Sequence, residues 1–484
     1  MRRLRQLAAR TPAGRQRYVD LLRALAICMV VLGHWAVAAI GEDATGRPTG
    51  RSALPELPWA YPLTWLAQVM PVFFLVGGYA NTASLTARRA AGVDATAWLL
   101  ARGARLLRPT TALLLVIAGG AALASLAGVE ATLVRTVAWF ATIPLWFLAA
   151  YLIVVPLTPA MHALHRRFGL LVPLVLAALV VAGDVGRALG PAGLALPNYV
   201  FGWLAVHQLG IAWRDADAGP HAARPAPPGT PDSAPPRAAP TPGGAPARRL
   251  PTSRRAGAAA LLGGLAATVL LTTVGPYPMS MLNVPGERLD NAAPPSLALL
   301  TLTTAQFGLI LLLRAPAERW LRRPRPWQAV IAVNSVVLTV FLWHLTAVIL
   351  LVGALDAVGR LPTPPVGSAA WFAWRVPWVL MLVVVLAVLV AVFGPVEART
   401  GRSGSTGGGG SSAGRAPGGP GRWATARTAL TAAGFAAVVY ALVANAETPR
   451  SAPEALGVPA PALVAYLARA GTLRLLRSGW AGRG

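Results

Sequence analysis

The chain has 484 residues, 55% of them hydrophobic and 12% charged, with a mean hydropathy of +0.56, more apolar surface than one or two soluble cores can hide. All 43 basic residues are arginine, giving a formal net charge of +26; without lysine, a Gly-Lys-Ser/Thr phosphate loop, a Schiff-base lysine and a lysine general base are excluded, and an ATP-driven transporter loses its motor. Cys28 is the single cysteine, so intrachain disulfides, thiolate metal clusters and Cys-x-x-Cys redox pairs are excluded as well.

Apolar stretches long enough to cross a bilayer as helices predict an all-α polytopic membrane protein, a bundle of about 10–11 transmembrane helices. They lie near residues 18–40, 62–84, 109–128, 143–163, 168–186, 197–213, 257–275, 295–314, 327–352, 371–394 and 428–446. The first span follows arginines and ends in small residues, as a secretory signal would, but Asp20, Arg23 and His34 interrupt it, so it reads as an uncleaved helix. The arginines cluster in residues 1–17, in "RRAAGVDATAWLLARGARLLR" after the second span, in "HRRFG" at 165–169, in 214–256 and in "RAPAERWLRRPRPW" at 314–327. All of these fall on one side of the membrane, which the positive-inside rule makes cytoplasmic. The net charge therefore points to topology and anionic lipid headgroups, with no nucleic acid partner expected. The expected location is the cell membrane, multi-pass, with the N-terminus in the cytoplasm.

Two low-complexity stretches divide the chain: a Pro/Ala-rich linker at 214–256 and a Gly/Ser-rich one at 395–427, neither able to bury enough apolar surface to fold. The expected organisation is a basic N-terminus at 1–17, the two halves of the bundle at 18–213 and 257–394, and an extra helix with a tail at 428–484. That tail, rich in arginine, would end outside unless its amphipathic stretch "APALVAYLARAGTLRLLRSGW" lies on a membrane surface.

Ionisable side chains deep in a bilayer cost several kcal/mol and read first as functional. "RALAICMVVLGHW" carries Arg23 and His34 with ten residues between them, so the imidazole sits roughly 16 Å further across the membrane. Alone, Arg23 reads as a snorkelling residue or a partner of Asp20. A neutral imidazole at the depth of His34 suits a general base at physiological pH. "GGYANTAS" at 77–84 and the glycine pairs at 119–120 and 263–264 read as close helix packing, with Tyr79 and Asn81 as possible cavity-lining residues. Arg102 and Arg105, at i and i+3 in "ARGARLLRP", fit either a bidentate phosphate clamp or an ordinary positive-inside loop. His207 in "AVHQLG" reads as packing. The outside loop "PYPMSMLNVPGERLDNAAPP" is long and polar, a candidate lid or acceptor site. His344 in "FLWHL" reaches a depth similar to that of His34 and either shares its cavity or packs beside a boundary Trp343.

The arginine-ten-histidine pattern, "MPVFFLVGGY" at 70–79, "PLWFLAAYL" at 144–152 and "FLWHL" at 341–345 occur in the order found in the membrane acyltransferase-3 family, which the chain resembles over roughly residues 17–395. The resemblance implies an integral membrane O-acyltransferase that moves an acyl group, acetyl being favoured, from acyl-CoA to a hydroxyl of a carbohydrate, lipid or other cell-envelope or secondary-metabolite acceptor. It implies His34 as the catalytic residue and Arg23, Arg102 and Arg105 on the donor side. Acyl-CoA is then a co-substrate, with no tightly bound cofactor and no metal. Tyr151 stands where many members carry a glutamate, so a phenol must do that carboxylate's work, and no hydrolase-like soluble module is present in the sequence. The alternative reading is a secondary transporter or lipid flippase, which predicts inverted repeats and midplane acids; the acids here, such as Asp20, Asp184 and Asp356, fall at helix ends or in loops.

Overall fold

The computed structural model describes residues 11, 15–42, 48–218, 249–284, 289–402, 422–447 and 460–478. It is 81% helical, and ten of its helices are long and apolar enough to cross a membrane, making the chain a multi-pass membrane protein. The helices are α1 (Arg17–Val37), α2 (Met70–Ala90), α3 (Ala95–Leu126), α4 (Ala131–Thr142), α5 (Leu145–Phe168), α6 (Leu171–Leu189), α7 (Asn198–Ala218), α8 (Arg254–Thr273), α9 (Leu297–Trp320), α10 (Pro324–Ser335), α11 (Val337–Ala357), α12 (Ala369–Arg402), α13 (Arg422–Glu447) and α14 (Ala460–Ser478). A two-stranded antiparallel hairpin, β1 (Ala38–Glu42) and β2 (Pro48–Ser52), follows α1. Most of the linker at 214–256, most of the Gly/Ser-rich stretch and the arginines at positions 2 to 10 lie outside the described residues.

The chain returns repeatedly to the same two ends. At the arginine-rich end the Arg17 guanidinium donates to the Leu321 carbonyl at 2.9 Å and lies over the Trp327 ring, tying the start of α1 to the α9–α10 turn. At the far end the buried Asp184 of α6 accepts from Tyr277 Oη, the Leu297 amide and Asn198 Nδ2, at 2.8 to 3.1 Å, with the Arg187 guanidinium beside it. Helices that carry many small residues approach closely: a Cβ on Gly78 of α2 would collide with the His207 carbonyl of α7, and one on Gly210 of α7 with the Leu75 carbonyl.

Several elements depart from the sequence reading. The span expected at 109–128 is the second half of α3, which begins at Ala95 and includes Arg102 and Arg105; a hydropathy window ends at arginines, but Asp94 caps the helix by accepting from the Ala97 amide at 2.7 Å, and Ala and Leu carry it through. The segment expected as one span at 327–352 is two helices, broken at Val336. There the Glu397 carboxylate of α12 accepts from the Leu338 and Thr339 amides at 3.2 and 2.8 Å, satisfying donors that a new helix N-terminus leaves open. Residues 58–67 form 3-10 and short helical turns that precede α2 within the second candidate span, Pro58–Ala90. Gly119, Gly120 and Gly263 have nothing within 4 Å of a built Cβ, so only Gly264 of those pairs marks close packing. Trp343 is buried and stacked on Phe393 at 3.9 Å.

Two further corrections concern the far-end loop and the tail. The described parts of the 276–295 loop are anchored, not lid-like: Trp65 and Gln68 donate to the Met279 and Met281 carbonyls, Thr64 accepts from the Met281 amide, and Asn291 donates to the Pro278 and Ser280 carbonyls, all at 2.7 to 2.9 Å. The tail helix is packed on the bundle. α14 packs against α13 and α3, with Leu473 opposite Gly434, Arg469 donating to the Ala437 carbonyl and Tyr466 hydrogen-bonded to Thr111. Phe435 of α13 in turn fills the notch at Gly103 of α3, so α14 runs back antiparallel to α13 along the outside of the bundle.

Candidate active site

A cavity of about 1010 Å³ opens into the bundle at the arginine-rich end. It is walled by α1, α2, α3, α5, α10, α11 and α12, and its charged lining is Arg15, Arg23, Arg102 and Arg105 against Asp20 and Glu397. Each group is there for a local reason. Positions 16, 20, 23, 27 and 34 of α1 fall on one stripe at helical spacing, and on it Gln16, Asp20, Arg23 and Ile27 line the cavity. Asp20 is buried and holds two arginines: Arg15 at 2.6 Å and Arg23 at 3.5 Å. The Asp20 partnership read from the sequence for Arg23 is therefore present, and so is its place on the cavity wall.

Arg102 is held by the side chain of Asn81. Its Nε and one terminal nitrogen both donate to Asn81 Oδ1, at 2.9 and 2.5 Å. With its oxygen so occupied, Asn81 turns its amide nitrogen to Tyr151 Oη and His207 Nε2, each at 3.3 Å, and Asn81 and His207 are both fully buried. Tyr151 thus accepts from an amide, which a phenol oxygen can do as a carboxylate would, and it retains its own O–H on the cavity side. His207, read as a packing residue, is the far support of this joint. Arg105, one turn on, is exposed and acts electrostatically on Glu397. Tyr79 lines the cavity as well, but its hydroxyl is engaged at 3.0 Å by Asp217, which also binds Arg314 at 2.6 Å.

The cavity narrows inward to Ile27, Phe147 and Phe341; the two phenylalanines meet edge to face with centroids 5.2 Å apart. Past this aromatic wall stand the two membrane histidines. His34 is seven residues beyond Ile27 on the same stripe of α1, which is about 10 Å, and its surface is exposed. His344 follows Phe341 by one turn of α11 and is fully buried, its ring 5.0 Å from that of His34. The structure brings together the two histidines that the sequence placed at similar depth, and it brings Arg23, Arg102 and Arg105 to one cavity. It does not place either histidine in that cavity's lining.

A family model described as an acyltransferase domain, that of the acyltransferase-3 proteins, matches residues 16–394. The chain belongs to the acyltransferase-3 family. No match is found among curated proteins or solved structures. In this acyltransferase the matched region contains Arg23, Arg102, Arg105, Asn81, Tyr151, His207 and both membrane histidines, while Arg15 and Glu397 stand just outside its two ends and α13 and α14 lie beyond it. Chemically, the arrangement sets a cationic cavity suited to phosphates beside a pair of imidazoles, a side-chain type suited to moving a proton. Glu397 and the Asn81–His207 contact were not apparent in the sequence: Glu397 ends the most apolar run among the described residues, and a carboxylate in that position is the one signal that marks it.

Proposed function

We propose that this protein is an O-acyltransferase of the cell membrane, moving an acyl group from acyl-CoA, acetyl-CoA being the simplest donor, to a hydroxyl of a carbohydrate, lipid or other envelope acceptor. The arginine-rich end faces the cytoplasm, where the donor is made. The observation that carries this reading is the cavity in which four arginines meet, continued by one helical stripe from Arg23 to His34.

The donor's phosphates dock on Arg102 and Arg105, with Arg23 and Arg15 at the same mouth, because guanidinium groups present paired N–H donors to phosphate oxygens. The apolar inner half of the cavity takes the pantetheine arm and points the thioester past Phe147 and Phe341. His34, neutral in this apolar setting, takes the proton of the acceptor hydroxyl. The test is purified protein in nanodiscs with labelled acetyl-CoA and extracts of its own cell envelope. Label appearing in an ester of an envelope component is the expected result; acyl-CoA that neither binds nor turns over would overturn the assignment.

A further inference from the structure

We propose that His344 is the positioning residue of His34: it fixes the tautomer in which His34 Nε2 is a bare base, and it shares the proton that this base takes up. The inference rests on the reading of His34 as the base given above.

The hydrogen bonds decide the tautomers. His34 Nδ1 is 2.9 Å from the Val30 carbonyl and His344 Nδ1 is 2.6 Å from the Phe341 carbonyl. A carbonyl oxygen only accepts, so both Nδ1 atoms carry a hydrogen. A neutral imidazole has a single ring N–H, which leaves both Nε2 atoms with lone pairs. His344 Nε2 is 3.3 Å from His34 Nδ1, so it is a second acceptor for the same N–H. His34 Nε2 has no hydrogen-bond partner among the described residues, and it belongs to the exposed ring of the pair.

The backbone holds this arrangement from behind. The indole N–H of Trp35, next to His34, donates to the His344 carbonyl at 3.0 Å, and Trp378 of α12 donates to the Trp35 carbonyl at 3.1 Å. His344 is fully buried behind the exposed ring of His34. It acts through His34 alone. During transfer the acceptor oxygen forms a bond to the acyl carbon, the C–S bond breaks, and the hydroxyl proton passes to His34 Nε2. The resulting imidazolium strengthens its Nδ1–H bond to His344 Nε2, then returns the proton to the departing sulfur as CoA thiol forms.

The test is a set of full-length variants in nanodiscs, with kcat, acyl-CoA KM and melting temperature measured on each. His344→Leu is expected to lower kcat about 10- to 100-fold, as loss of an orienting partner does, with acyl-CoA KM within about twofold of the parent because donor contacts are untouched. His344→Gln, whose amide oxygen stands near the Nε2 position, is expected to recover activity, and His344→Asn, which places its amide near Nδ1, is not. In a His34→Ala background, His344→Leu is expected to cost nothing further. Parental kcat in His344→Leu, equal losses in Gln and Asn, or an added loss in the double variant would each overturn the proposal. If His344→Leu does not fold, the Gln and Asn comparison decides alone. Parental activity in His34→Ala, by contrast, overturns the base reading itself, whatever the His344 variants do.

Discussion

Arg102 is seated on Asn81 by two guanidinium N–H groups meeting one amide oxygen. A flexible side chain is thereby turned into a fixed fork on the cavity wall, with its entropy already lost before any anion arrives. If Arg102 and Arg105 bind donor phosphates, replacing both with alanine raises KM for acyl-CoA far more than it lowers kcat, since phosphates are bound alike in ground and transition states. Lysines restore binding only in part, because an ammonium has no planar fork. Steady-state kinetics with acyl-CoA varied at saturating acceptor checks this, and an unchanged KM removes both arginines from the site.

Asn81→Leu separates seating from charge. It keeps the size of the side chain and both arginines, and it removes the oxygen that holds Arg102. Acyl-CoA affinity should fall by about 1–3 kcal/mol, the cost of leaving a buried partner unmatched, with kcat changed little. Isothermal titration with a non-transferable CoA thioether reads it directly.

His34→Ala should give a folded, inserted protein whose transfer rate is lower by a factor on the order of 10²–10⁴, the usual contribution of a general base. Donor affinity should stay near the parental value, because the cavity lining ends at Ile27, Phe147 and Phe341. Parental turnover in this variant is the result that removes His34 from the chemistry.

At the far end, Asp184→Ala takes away the acceptor shared by Tyr277, Asn198 and the Leu297 amide and strands Arg187 in a buried site. Breaking a buried pair from one side costs about 3–5 kcal/mol. The expected outcome is a lower melting temperature and early proteolysis in the 276–295 loop; an unchanged melting curve would mean the loop is held elsewhere.

The α13–α14 pairing makes a topological prediction. Because α14 runs back along α13, a reporter at residue 230 and one at the C-terminus should fall on the same side of the membrane, opposite one placed in the loop at 359–367. Opposite readings for the first two would show that the tail leaves on the other side.

Much of the fold was legible because a bilayer asks one simple question of a sequence, whether about 20 residues together are apolar enough. The stripe from Arg23 to His34 was legible for a related reason: eleven residues make nearly whole turns, so one helix alone fixes it. What was not legible depends on a second helix. Glu397 caps α11 from 58 residues away, and nothing near Val336 announces that break. His207 reads as packing until Asn81 is seen beside it. Arg102 looks like a loop residue because hydropathy counts its charge, not the direction in which the helix turns it. The glycines at 119–120 show the converse error: small residues permit close approach, but only a partner helix makes it happen, and there none arrives.

The aromatic wall of Phe147 and Phe341 has a consequence for the economy of the cell. An activated thioester parked beside a base and water is a leak, since each futile hydrolysis discards a molecule of donor. If the donor docks in the arginine-lined cavity, the edge-to-face rings of Phe147 and Phe341 bound its store, and neither histidine lines that store. On the proposed reading, a donor at rest is insulated from the base until an acceptor arrives.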